Sequence, residues 1–208
     1  MNIDHRVAQL LVSRVCHDLA GGVSALSTGA ELLSEDSTMA DEQALDVIAM
    51  SAAQCASRLA FFRVAFGLGG GEDDTITIDE LKALVVNFVQ GGRVSVVWEA
   101  QNARIKLNAG KILLNLCLIA SESLPRGGVL RIEVSEIGAK LGFAVSVQGV
   151  GASLRPGMED ALLAKTDTEM LNARTVHGYF TAILADVLGA ELEFMSAGDD
   201  EIQLAALL

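Results

Sequence analysis

The chain has 208 residues, enough for one or two domains with a sizeable hydrophobic core. Its net charge is −12 and its Lys and Arg residues form no long run, which argues against nucleic acid as a direct partner. Hydrophobic residues make up 51% of the chain, but no uninterrupted apolar run could span a bilayer and residues 1–14 lack a signal-peptide pattern. We therefore expect a cytoplasmic protein, without a membrane partner, whose excess apolar residues form a large core and a subunit interface.

A long helix is predicted for residues 3–33, because apolar or small residues recur at alternating steps of three and four. These seam residues are Ala8, Val12, Val15, Leu19, Gly22, Leu26, Gly29 and Leu33.

His17 is predicted on the face of this helix opposite the seam, since successive residues turn by about 100°. A histidine exposed in mid-helix, next to the carboxylate of Asp18, indicates a group that another protein must reach. Its predicted neighbours on the outer face are Arg6, Ser13, Arg14, Gly21, Ser24, Thr28 and Glu31.

A second helix is predicted after the polar residues 34–37, starting with a capping box at Thr38–Asp41 and ending at Gly67. Two long helices joined by a short turn form an antiparallel hairpin, here residues 1–68. Because two helices alone bury little surface, we expect a homodimer that completes a four-helix bundle. The seam of the second helix comprises Leu45, Ile48, Ala52, Cys55, Leu59, Phe62 and Phe66.

An α/β domain is predicted for residues 74–208, after the glycine-rich and acidic residues 67–74. Strands are expected at residues 75–78, 94–99, 129–136, 140–148, 191–195 and 201–207. Helices are expected at residues 80–90, 108–123, 158–164 and 176–188, the first two capped by Asp79 and Asn108. The chain is thus α+β: a helical hairpin followed by an α/β sandwich with a mixed sheet and helices on one face.

The three cysteines, Cys16, Cys55 and Cys117, are far apart and lie in apolar contexts. They are predicted to be reduced core residues, and their spacing fits no metal site.

The order of elements, with an outward His-Asp pair on the hairpin, resembles a sensor histidine kinase: a dimerisation and phosphoacceptor hairpin followed by an ATP-binding domain. More narrowly, RVCHDLAGGVSALSTGAELL and KILLNLCLIASESLPRGG are similar to segments of the ChpT-type histidine phosphotransferases of alphaproteobacterial phosphorelays. The resemblance covers essentially the whole chain.

The ATP site implied by the kinase resemblance is degenerate. Val147 stands where an aspartate should bind the adenine, and residues 172–179, which should cover the triphosphate, contain one glycine among bulky residues. Asn115 could match the metal-binding asparagine of kinases, but Leu118 and Ile119 do not supply a second polar residue. We therefore expect neither a nucleotide cofactor nor ATP-dependent kinase activity.

The resemblance implies that His17 relays a phosphoryl group between aspartates of a donor and an acceptor receiver domain, with Mg²⁺ supplied by the receiver. Asp18 would orient the imidazole. Antiparallel geometry places Arg58 level with His17, so that Arg58 and Arg14 are candidates for neutralising charge on the phosphoryl group. The receiver is expected to dock on Ala20, Gly21, Ser24, Thr28 and Glu31.

Two other functions remain open at this stage: a divergent soluble histidine kinase that binds ATP, and a non-enzymatic kinase-like scaffold dimer. Of the remaining histidines, His5 is predicted at a frayed terminus, and His177 as a surface or partly buried residue with its hydrogen bonds satisfied.

Overall fold

The computed structural model describes residues 4–33, 38–67, 73–101 and 103–208, without the side chains of residues 38–41. The chain begins with two helices of 28 residues each, α1 (His5–Leu32) and α2 (Thr38–Ala65). They are antiparallel, because Leu19 of α1 lies beside Cys55 of α2 whereas Gly29 lies beside Ala44 and Ile48. The predicted capping box at 38–41 and the turn at 34–37 lie outside the described side chains, as do residues 68–72 of the predicted boundary.

Two glycines allow α1 and α2 to pack closely. A Cβ at Gly22 would collide with Cys55 Sγ, and a Cβ at Gly29 would lie 2.7 Å from Ile48 Cγ1. A Cβ at Gly21 would meet no atom within 4 Å. Packing of the hairpin therefore explains Gly22 and Gly29 but leaves the outward Gly21 unexplained.

In the first half of α1, the predicted seam is not the face that is buried in the single chain. Val7 and Leu11 are buried there, whereas Val12 is 64% exposed. The reason is that this half of α1 also packs against the α/β part of the chain, which covers a different face of the helix. Cys16 is likewise exposed rather than in the core, while Cys117 is buried and burial raises the pKa of its thiol.

The predicted seam residues of α2 likewise fall into two groups, one covered and one exposed. Ile48, Cys55 and Phe62 are at least partly buried, as predicted, but Leu45 and Leu59 are each 54% exposed in the single chain.

The α/β part contains a five-stranded sheet in the order β2-β4-β5-β7-β6 and a small β1-β3 sheet. Only β2 and β4 pair in parallel within the larger sheet, so it is mixed, as predicted. The strands are β1 (Thr75–Thr77), β2 (Val94–Ala100), β3 (Arg104–Lys106), β4 (Gly128–Ile137), β5 (Lys140–Gln148), β6 (Glu191–Ser196) and β7 (Glu201–Leu207). The helices are α3 (Ile78–Val89), α4 (Leu107–Glu122), α5 (Met158–Leu162), the 3₁₀ helix η1 (Thr168–Met170) and α6 (Val176–Leu188).

Helices cover one face of the larger sheet. Alternate residues of its central strands are buried beneath them, such as Leu130, Val145 and Leu204, while Glu133 and Gln203 point to the open face. Nearly every residue of α4 is buried, which makes it the central helix of the core.

Local details of this part differ from the sequence predictions. Helix α3 is capped by Thr77, whose hydroxyl accepts from Glu80 N at 3.1 Å, and Asp79 lies inside the first turn. Helix α4 starts at Leu107 without a side-chain cap, so Asn108 is not its N-cap. Both helices follow directly from the short β1 and β3 strands, and this pairing between distant segments sets their first residues.

An aromatic cluster joins the hairpin to the α/β part. Phe61 of α2 stacks on Phe88 of α3 with ring centroids 4.3 Å apart, and Phe66 meets Phe180 of α6 edge-on at 5.8 Å. The C-terminal end of α2 is thereby fixed against two helices of the sandwich.

Candidate functional site

His17 lies in the middle of α1 with its side chain 80% exposed, which confirms the predicted outward position. Its Nδ1 is 3.2 Å from Asp18 Oδ1. No described residue lies within hydrogen-bonding distance of its Nε2. If Nδ1 carries the proton that Asp18 accepts, the lone pair on Nε2 faces solvent and is free to act as a nucleophile.

Asp18 bridges two side chains although it is largely buried. Its Oδ1 faces His17, and its Oδ2 accepts a hydrogen bond from Arg14 Nε at 2.8 Å. The contact with His17 is the one that the family resemblance implied. The carboxylate can hold the imidazole in one tautomer and stabilise positive charge that develops on the ring.

Arg14 is not exposed beside His17, and the prediction that it lies on the outer face is wrong. It is only 5% exposed, because the face of α1 that carries Val7, Leu11 and Arg14 packs against the α/β part. Its guanidinium donates to Asp18 and to Glu122 at the end of α4. Arg14 therefore cannot meet a phosphoryl group directly and instead acts on Asp18.

His177 is fully buried in the first turn of α6, which is deeper than predicted. Its Nδ1 is 3.4 Å from Arg14 Nη1 and its Nε2 is 3.4 Å from Glu122 Oε2. Since Arg14 can only donate, Nδ1 accepts and the proton is assigned to Nε2, facing Glu122. Burial, reinforced by the nearby guanidiniums of Arg14 and Arg155, holds the pKa of His177 well below 6.5 and keeps the ring neutral.

His177 should make the stability of the protein depend on pH. The unfolded chain takes up a proton near pH 6.5 whereas the folded chain does not, so this contribution is complete above that pH and is lost as the pH falls below it. We expect His177→Gln to remove about 1 kcal/mol of the loss in unfolding free energy between roughly pH 7 and 5.5. Urea unfolding at both pH values measures the difference. The control His5→Gln, at the exposed start of α1, should retain the wild-type loss, and an identical loss in His177→Gln would contradict the prediction.

Arg58 lies at the predicted height on α2. Its Nη1 donates to the backbone carbonyl of Asp18 at 2.8 Å, and its guanidinium carbon is 5.9 Å from the centre of the Phe88 ring. The half-buried Arg58 thus brings positive charge next to the His17 turn while it fixes the backbone there.

The predicted docking residues form a continuous exposed surface. It begins one turn after His17, and its side chains are small at the end closest to the histidine. These residues are Ala20, Gly21, Ser24, Thr28 and Glu31.

The residues that align with kinase motifs have structural roles here. Asn115 is fully buried, and its Nδ2 donates to Ala65 O at 3.2 Å and to Lys111 O at 2.8 Å, so it fixes the end of α2. Val147 is part of the buried face of β5. Arg14 contacts Ala173 O and His177, which places the hairpin against the segment that would cover a triphosphate.

Two charged residues of this site, Glu122 and Arg155, were missed by the sequence analysis. Glu122 Oε2 lies 3.5 Å from Arg155 Nε. Glu122 and Arg14 are 108 positions apart, and no local pattern signals a pair that only tertiary packing brings together. Within the described ranges, no group of three or more His, Cys, Asp or Glu side chains has an arrangement suited to a metal ion.

Comparisons with known proteins agree with this arrangement of hairpin and sandwich. Residues 78–200 match the family of the histidine phosphotransferase C-terminal domain, which is more than half of the chain. The chain belongs to the histidine phosphotransferase family. The protein phosphotransferase ChpT of Brucella abortus (strain 2308) is 30% identical over 191 residues, which cover 92% of this chain and 90% of that protein.

Solved structures support the same assignment of this histidine phosphotransferase. The structure of a bacterial phosphotransferase matches with a TM-score of 0.86 and 28% identity, covering 99% of this chain and 98% of that one. A kinase domain of a blue-light-activated histidine kinase from Erythrobacter litoralis matches with a TM-score of 0.51 and 14% identity, covering 91% of this chain and 95% of that one, which shows a shared fold only. The protein is thus a phosphotransferase with a phosphotransfer role in a phosphorelay.

Proposed function

We propose that this protein relays a phosphoryl group between aspartates of two receiver domains through Nε2 of His17, without using ATP. One observation carries the proposal: the imidazole of His17 is exposed on a long helix, with Asp18 at Nδ1 and solvent at Nε2. A neutral imidazole near pH 7 is a competent nucleophile.

In the first step, Nε2 attacks the phosphorus of an aspartyl phosphate on the donor receiver. The N–P bond forms while the P–O bond to the aspartate breaks, and the aspartate leaves as a carboxylate. The ring becomes positively charged, and Asp18 stabilises that charge through the Nδ1 proton. An aspartate oxygen of the acceptor receiver then attacks the phosphorus. A new P–O bond forms while the N–P bond breaks, and its electron pair returns to Nε2 and restores the neutral ring. Because the transition state is loose, positioning and charge neutralisation supply most of the catalysis.

The receivers would supply Mg²⁺ from their acidic pockets, and Arg58 would add positive charge beside the His17 turn. The surface from Ala20 to Glu31 would accept the receiver, with Gly21 and Ser24 leaving room close to the histidine. Arg14 would contribute through Asp18 rather than by contact with phosphate.

Two copies of the hairpin would pair into a four-helix bundle. By length and composition, residues Glu42–Ala65 of α2 are apolar enough to cross a membrane, as are core helices of many soluble proteins. The mean hydropathy there is 1.2, yet only 11% of this apolar stretch is buried in the single chain. Leu45, Ala52 and Leu59 repeat every seven residues on its uncovered side. Burial of this stripe in a homodimer accounts for its composition in a cytoplasmic protein.

We divide the chain into the phosphoacceptor and dimerisation hairpin, residues 1–68, and a degenerate ATPase domain, residues 74–208. Asn115 and Val147 have structural roles. Arg14 contacts the backbone carbonyl of Ala173, within the segment that would cover a triphosphate. These contacts favour the relay over the alternative of a kinase that binds ATP.

The test is transfer without ATP. Every receiver domain encoded by the source genome is charged with radiolabelled acetyl phosphate, freed of the small donor and mixed with the purified protein. We expect one or more receivers to pass label to the protein in an acid-labile, alkali-stable form, and mass spectrometry should place the phosphoryl group on His17.

The competing functions give different results in the same experiment. Labelling of the protein by magnesium and radiolabelled ATP alone would show a kinase and overturn the proposal. Failure of the whole receiver panel to label the protein would favour the non-enzymatic scaffold.

A further inference from the structure

A cluster of ionisable side chains joins α1 to the α/β part directly behind the His17–Asp18 pair. Two anions, Asp18 and Glu122, and the cation Arg14 are each no more than 15% exposed, with Arg155 at the margin. Burying several charges costs desolvation energy that well-packed apolar residues would not incur. Packing the two parts of the chain together does not by itself require such a cluster.

Arg14 is the central residue of this cluster. Its Nε binds Asp18, one terminal nitrogen binds Glu122, and the other lies 3.4 Å from both Ala173 O and His177 Nδ1. Each of the three guanidinium nitrogens therefore has a polar neighbour that restrains its position. A guanidinium is planar, so fixing its far side against Glu122 also fixes the direction from which Nε approaches Asp18.

The position of Asp18 in turn determines whether one of its oxygens can accept a hydrogen bond from His17 Nδ1. Neighbouring residues on a helix point about 100° apart, so the Asp18 carboxylate must lean sideways to approach Nδ1 of His17. It does so with Oδ1, while Oδ2 is held by Arg14. If Glu122 lost its charge, Arg14 could turn a second N–H toward Asp18 and take both carboxylate oxygens in a bidentate pair.

We propose that Glu122 is a positioning residue for phosphotransfer: by holding Arg14 it keeps one oxygen of Asp18 on Nδ1 of His17, so that Nε2 is the free nucleophile. This inference rests on the proposed role of His17. Glu122 reaches neither His17 nor a docked phosphoryl group and acts only through Arg14 and Asp18. The α/β part thereby contributes to the reaction without binding a nucleotide.

The decisive measurement is the tautomer of His17, read from imidazole ¹⁵N chemical shifts in the unphosphorylated protein. In the wild type we expect the tautomer with its proton on Nδ1. In Glu122→Gln, which conserves shape, we expect that tautomer to lose its predominance and transfer from a charged receiver to slow by about tenfold, the scale of other losses of a partner that orients a histidine.

Matched variants separate positioning from general damage. Glu133→Gln, on the exposed face of β4, should leave both the tautomer and the rate unchanged. Asp18→Ala should reproduce or exceed the tautomer change of Glu122→Gln. Glu122→Asp keeps the charge with a shorter reach and should shift the tautomer in the same direction by a smaller amount, which preserves the test if Glu122→Gln unfolds.

A wild-type tautomer in folded Glu122→Gln would overturn the inference, whatever happened to the transfer rate. Failure of the proposed function gives a distinct result, since wild-type His17 would then take no label from any receiver. The tautomer of the unphosphorylated protein would still report whether Glu122 controls the ring.

Discussion

His17→Gln should abolish phosphotransfer while leaving the protein folded. A glutamine amide has no nucleophilic nitrogen, and loss of the nucleophile in a covalent mechanism costs orders of magnitude in rate, so we expect transfer from a charged receiver to fall by at least about a thousandfold. The side chain is 80% exposed, so its replacement should change the unfolding free energy by no more than about 0.5 kcal/mol. Quench-flow transfer assays and chemical denaturation measure the two effects.

The matched control is His5→Gln, because His5 is also exposed on α1 but has no described contact with the cluster around Asp18. Its transfer rate should equal that of the wild type. Substantial transfer by His17→Gln would mean that another residue accepts the phosphoryl group, and the relay through His17 would be wrong.

Leu59→Glu should dissociate the proposed homodimer. Leu59 is 54% exposed in the single chain, so the substitution spares the interior of the hairpin, but a two-fold symmetric bundle would bury this position twice. Losing the burial of two leucines costs about 3 kcal/mol or more, and the added carboxylates increase the loss. We expect the dissociation constant, measured by sedimentation equilibrium, to rise by at least about a hundredfold.

The control for the dimer is Met195→Glu on β6, a comparably exposed apolar residue outside the hairpin. It should sediment as the wild type does. A wild-type protein that is monomeric at micromolar concentrations, or a Leu59→Glu variant that dimerises normally, would contradict the four-helix bundle.

Most of the fold follows from local patterns in the sequence. The bounds predicted for the last helix agree with α6, Val176–Leu188, because an apolar run ends at Gly189, which adopts the left-handed conformation. The N-caps at Asp79 and Asn108 were wrong because distant strands decide where α3 and α4 begin. The short η1 helix has no periodic signal and was not predicted.

In the functional site, too, some residues follow from local sequence patterns and others only from the tertiary structure. The position of His17 follows from the heptad pattern of a single helix, and the height of Arg58 follows from antiparallel pairing. Arg14 was misplaced because helical periodicity places a residue on a face without saying which element covers that face. The partners on the far side, Glu122 and His177, come from helices more than 100 positions away and require the tertiary structure.

The hydrogen bond from Asn115 Nδ2 to Ala65 O, in the last turn of α2, has a further consequence. Together with the Arg14–Glu122 ion pair, it ties the hairpin to the sandwich at two separate points, so a swinging motion of one against the other would break buried polar contacts at both. We therefore expect the protein to transfer phosphoryl groups in either direction without regulating the direction itself. The net direction of flow would then be set by how fully each receiver is charged in the cell, and not by a gate within this chain.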